Sequence, residues 1–137
     1  MPVTQAFCNI AKQDLFNGVH ATGDVYKIAL YNSASATLDK TTTAYTSTGE
    51  VSGTGYTAGG ATLAGRVVGA SGDTAYLSFD DPSWANATFT ADSALIYNSS
   101  KSNKAIAVLS FTAATSTNGT WTLDLPAAGA SAILRLA

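Results

Sequence analysis

Apolar and polar positions alternate with a period of two in run after run along this chain, whereas the first twenty residues follow a helical period. Residues 5–17, QAFCNIAKQDLFN, place Phe7, Ile10, Ala11 and Leu15 at helical spacing, with Thr4 where an N-cap belongs and Gly18 where a C-cap belongs. This predicts one short helix within an N-terminal arm of residues 1–20. Such a helix either covers the open end of a sheet or reaches onto a neighbouring subunit. In DVYKIALYN, Tyr26, Ile28 and Leu30 share one face while Val25, Lys27, Ala29 and Tyr31 share the other. The alternation returns in ATLAGRVVG, in TAYLSFDD with Ala75, Leu77 and Phe79 inward, in SALIYNS, in NKAIAVLSF and in SAILRLA. It is cleanest in GTWTLDLP, where Trp121, Leu123 and Leu125 alternate with Thr120, Thr122 and Asp124, one face buried and one wet.

Turn residues punctuate these runs: Gly69 to Gly72 with Asp73, Asp80-Asp81-Pro82, Asn98 to Asn103, Asn118-Gly119, and Pro126 to Gly129. Short strands at near-regular spacing predict an all-β fold, an antiparallel β-sandwich or jelly-roll-like arrangement with one short N-terminal helix. A parallel sheet would need helical crossovers, and only the first segment reads as helical. The 137 residues fit a single domain, 1–137, large enough for a core without metal or disulfide staples. Two segments echo each other, KIALYNSASA (27–36) and SALIYNSSKS (93–102). Duplication explains the echo, and so does a strand-end solution used twice.

Residues 38–60, LDKTTTAYTSTGEVSGTGYTAGG, form a long, polar, glycine-rich stretch. A nucleotide-binding loop would need Gly-Lys-Ser/Thr running into a helix, or a βαβ unit around Gly-x-Gly-x-x-Gly. Here no lysine stands among the glycines, and ATLAGRVV continues as strand. The glycines instead permit positive φ and close backbone approach. Loops of this length in compact domains are functional or mobile, and Tyr45 and Tyr56 are of the type enriched at protein interfaces. The stretch therefore reads as a loop that becomes ordered against a partner.

Composition narrows the function classes. Charged residues make up 12% and the net charge is -2, so there is no basic footprint for nucleic acid. No run approaches a membrane span and no signal-like N-terminus is visible, which predicts a cytoplasmic product. The sequons at Asn86, Asn98 and Asn118 are then chance matches in a Ser/Thr-rich chain. Cys8, the single cysteine, reads as a small buried hydrophobe. His20 has no triad spacing around it, and the adjacent Asp80 and Asp81 read as a turn rather than as a glycosidase pair or a calcium site. Trp121 falls on an apolar face, whereas Trp84 in DPSWANATF begins a strand and, if exposed, would offer a sugar a stacking face. No catalytic residue, cofactor or metal is expected.

The stretches KIALYNSASATLDKTTTAYTSTGEVSGTGYTAGGATLAG, SALIYNSSKSNKAIAVLSF and TNGTWTLDLPAAGASAILRL resemble a family of small virion structural proteins of tailed bacteriophages and prophages, from about Tyr26 onward. The resemblance implies a capsid decoration, or cement, protein. Such a protein is made in the host bacterial cytoplasm, sits on the capsid exterior and ties together subunits of the major capsid protein. It would act as a homo-oligomer, dimer or trimer, with no nucleic acid or membrane partner. The alternative is a tail or baseplate component with a protein- or carbohydrate-binding sandwich. The partner-contact candidates are Phe7, Tyr45, Val51, Tyr56, Gly59, Gly60 and Trp84.

Overall fold

A computed structural model describes residues 3–129 and 131–136. The chain runs β1 (Val3–Phe7), α1 (Asn9–Asn17), β2 (Tyr26–Tyr31), β3 (Ala61–Thr62), β4 (Val67–Ser71), β5 (Thr74–Ser78), β6 (Ser83–Asn98), β7 (Lys104–Thr122) and β8 (Leu134–Leu136). All strand pairings are antiparallel. One sheet has five strands in the order β1-β7-β6-β2-β3, and a second has three in the order β4-β5-β8. The protein is thus all-β with one short helix among the described residues. Its two sheets share one buried cluster, which includes Ile28, Leu95 and Leu109 from the first, Leu134 from the second and Phe79 just past β5. The five-plus-three division does not establish jelly-roll connectivity.

The hairpin of β6 and β7 is the spine of the molecule. Its two long strands turn through Ser99–Asn103, where Ser102 and Asn103 take positive φ and Ser100 N–H donates to Asn98 Oδ1 at 3.0 Å. Bulges interrupt the ladder at four places between Trp84 and Tyr97, so these strands bend while remaining paired. Asn118-Gly119, expected as a turn, is one of these irregularities within β7, with Asn118 at φ 53 and its N–H on Thr88 Oγ1 at 3.0 Å. The two echoing segments are direct neighbours: β2 lies antiparallel to β6 with Ile28 opposite Ile96 and Leu30 opposite Ala94. Strand β2 is buried on both faces, Ala29 and Tyr31 as completely as Ile28 and Leu30.

The N-terminus departs from its predicted form. Val3–Phe7 is a strand on the free edge of β7, so the helix begins at Asn9 with Cys8, not Thr4, at the N-cap and with no side-chain cap bond. Tertiary pairing outweighs the helical spacing there. Gly18 does end the helix, at φ 65, as predicted. The helix buries Ala11 and Asp14 and leaves Leu15 46% and Phe16 95% exposed, so its covered face is not the most apolar one. The alternation at the end of β7 holds, with Trp121, Leu123 and Leu125 buried between exposed polar neighbours. In β5 the inward set is partly wrong: Phe79, just past the strand, is buried and Leu77 half-buried, but Ala75 is exposed.

Candidate functional site

The glycine-rich stretch closes the outer edge of β2. A strand presents backbone groups to one side at every second residue, and an unpaired row of them is a template for aggregation. Along β2 these outer groups belong to Tyr26, Ile28, Leu30 and Asn32. Tyr26 C=O accepts from Leu63 N–H at 2.8 Å, and Ile28 pairs with Ala61 of β3. Leu30 C=O accepts from Val51 N–H at 2.9 Å, and Asn32 N–H donates to Gly49 C=O at 3.0 Å. Between these contacts the backbone swings away, and Leu30 N–H donates instead to the hydroxyl of Tyr56 at 2.9 Å. A side chain supplies the missing rung. Gly60 permits the swing: it sits at φ 81, and a Cβ there would lie 1.8 Å from Ile28 O.

Glu50 locks the seal. Its Oε2 accepts from Tyr45 Oη at 2.6 Å, and its Oε1 accepts from Tyr56 Oη at 2.7 Å and Gly59 N–H at 2.7 Å. Tyr97 of β6 donates to Gly59 O at 2.6 Å and stacks on Tyr45 with ring centroids 5.0 Å apart. Burial and the neighbouring Glu50 carboxylate push the Tyr45 hydroxyl up to about 12, and burial raises Tyr56, Tyr31 and Tyr97 as well. These tyrosines are neutral donors at any physiological pH.

The partner-contact candidates are therefore largely committed within the chain itself. Val51 is 5% exposed and Gly59 is buried; Tyr45, Tyr56 and Gly60 are half-buried in the seal. The expectation of a loop free to order on a partner is corrected: satisfying the β2 edge already orders it. Trp84 is 6% exposed, paired across the ladder with Trp121 and packed against Tyr56 and Phe89, so it offers no face to a sugar. Phe7 is half-buried at the end of β1.

A buried polar chain lies beneath α1, and sequence reading did not find it. Asp14 is 2% exposed, with Lys104 Nζ 3.2 Å from Oδ1 and His20 Nε2 3.5 Å from Oδ2. On the other side of the imidazole, Nδ1 is 2.9 Å from Asn98 Nδ2, which also donates to Asp24 Oδ2 at 2.8 Å. Ser100 N–H fixes Asn98 Oδ1 as the acceptor, so Nδ2 is the donor to His20 and the ring proton sits on Nε2, facing Asp14. Burial lowers the His20 pKa, in keeping with a neutral ring. Asp24 is held well below the usual carboxylate range by the Ala21 N–H, by Lys101 and by Asn98. The chain of contacts joins the helix, the 18–25 connection and the β6–β7 turn. The signal available in the sequence was a polar residue at an interior helix position, paired with a lysine 90 residues away.

The remaining candidates are structural. Asp81 Oδ1 accepts from Leu125 N–H at 2.8 Å, which pins the chain leaving β7, while Asp80 is exposed. Cys8 is fully buried, and its thiol is raised to about 11, mainly by burial. Among the described residues, no group of three His, Cys, Asp or Glu is placed to hold a metal ion, and no helix is long and apolar enough to cross a membrane.

What stays open is apolar. Phe16 is 95% exposed, Val68 60%, Leu15 46% and Val67 45%. Leu15 and Val68 line a single cavity, which brings the end of α1 beside the outer strand of the second sheet. The chain matches no protein-family model, no curated protein and no solved structure.

Proposed function

We propose that this chain is a structural protein of a tailed-phage virion, a decoration subunit that binds the outside of the capsid shell and stabilises its expanded form. One observation carries the contact assignment: exposed apolar side chains on the end of α1 and on β4, with Phe16 the most exposed of them. Exposed apolar side chains gathered on one region of a surface mark an interaction site. The resemblance of residues 27–65, 93–111 and 117–136 to virion structural proteins supports the capsid as the partner. The seal around Glu50 takes up Tyr45, Tyr56 and Gly59, which supports the exposed end of α1 over that loop as the contact. A subunit that binds the expanded shell more tightly than the immature one stabilises it by that difference in affinity, without catalysis. Many copies multiply a modest contact, and shell symmetry favours dimers or trimers.

The test is occupancy on purified heads lacking the protein. The unaltered chain should add in hundreds of copies per particle, and F16S should lower its affinity by about tenfold or more, since burying such a side chain is worth about 1.5–3 kcal/mol. A few copies per particle would assign it to the tail, and full occupancy by F16S would remove the helix from the contact.

A further inference from the structure

Beneath the C-terminal half of α1 lies a cavity of about 200 Å³, walled by Phe7, Ala11 and Ile106 on one side and by Leu77 and Leu134 of the second sheet on the other. The charged side chains that line it are Arg66 and Arg135, beside the neutral His20 ring and the polar Tyr26 and Tyr76; among the described residues no carboxylate lines it. Arg135 has a partner of its own. The His20 nitrogens face Asn98 and Asp14. The Arg66 guanidinium lies over the Tyr26 ring, 5.6 Å from the centroid, and its Nε, like His20 Nε2 and Asp14 Oδ2, is buried with no hydrogen-bond partner among the described residues; unlike His20 Nε2, it has no carboxylate across from it. A buried guanidinium donor left unpaired is costly, and its planar fork is matched by a carboxylate.

Volume sets the size of the stem. A dry apolar cavity of about 150 Å³ accepts benzene, whereas sites for drug-sized molecules begin near about 300 Å³. The geometry points to a binding site for a small monocarboxylate with an apolar stem, of benzoate to octanoate size, its carboxylate on the Arg66 guanidinium and its stem between the two sheets. Both halves of the ligand are needed. The walls exclude a strongly hydrated dianion, and Arg66 distinguishes the acid from the alcohol of the same length.

Titration calorimetry with octanoate, octanol and octylamine tests this on the full chain. Octanoate should bind at least about tenfold more tightly than octanol, the value of one charge-assisted bond, and octylamine should not bind. R66Q should remove that preference and leave the weak octanol binding intact. Should R66Q fail to fold, two variants serve in its place: R66K keeps the charge and lacks the Nε donor, and A75F plugs the cavity from an exposed lining position. Each should weaken octanoate by about tenfold or more. Equal binding of acid and alcohol, no octanoate binding at about 10 mM, or unchanged affinity in these variants overturns the assignment. Phe16 does not line the cavity, so F16S should keep octanoate binding even where it loses head occupancy.

Discussion

Replacing Tyr56 with Phe removes one oxygen and tests the edge seal. That hydroxyl accepts from Leu30 N–H at 2.9 Å and donates to Glu50 at 2.7 Å. Leu30 is fully buried, so its N–H would lose its partner with no water to replace it, a cost of about 1–3 kcal/mol. The lost bond to a carboxylate adds about 1.5–3 kcal/mol before any relaxation. A net loss of about 3 kcal/mol would move a urea midpoint by about 2 M. Tyr45→Phe is the control: its hydroxyl also meets Glu50, at 2.6 Å, but closes no backbone rung, and about 1–2 kcal/mol is expected. Urea unfolding followed by the fluorescence of Trp84 and Trp121 gives both values, and hydrogen exchange at the Leu30 amide gives the local one. In Y56F that amide should exchange at least about tenfold faster, and in Y45F much less so. Equal destabilisation of the two variants, or unchanged protection at Leu30, would refute the view that Tyr56 completes the sheet edge.

Three further outcomes are expected. G60A should fold poorly or lose about 3 kcal/mol or more in denaturant titration, because its methyl group meets Ile28 O, whereas G72A, also at positive φ but in open space, should lose only about 1 kcal/mol. Because the folded-state pKa of His20 is depressed, the unfolded chain takes up the proton first, so thermal stability should fall as pH drops below about 6.5, and H20Q should flatten that part of the profile. With Tyr45 raised to about 12 and Tyr31, Tyr56 and Tyr97 also raised, the unfolded chain loses those protons first above about pH 10, and alkaline titration by absorbance should show tyrosine ionisation coinciding with loss of structure.

Alternation of residue types was enough to find most strands, because one or both faces of each pack on a shared core and the chain records that burial locally. The same logic located Trp121, Leu123 and Leu125 correctly. It failed where the decisive partner is remote. Residues 5–17 have helical spacing in the sequence, but their first residues, up to Phe7, lie on β7, 100 residues or more away. Asp14 carries no local sign of burial, yet it lies inside against Lys104 and His20. Glycine content in 50–60 was rightly taken as a sign of close backbone approach. The approaching backbone is that of β2, and no sequence rule shows that a tyrosine hydroxyl will stand in for a ladder rung. The sequence leaves the burial of Trp84 open because its burying neighbours, Tyr56 and Trp121, come from segments on either side of it.

A margin whose rungs are already answered by a two-residue strand and a phenol group cannot recruit a foreign chain. The outermost strands of the five-stranded layer are β1 and the two-residue β3, so a foreign strand could add only on β1 or on that short segment, never along β2 itself. The β2 margin is thereby removed as a template on which fibres could start.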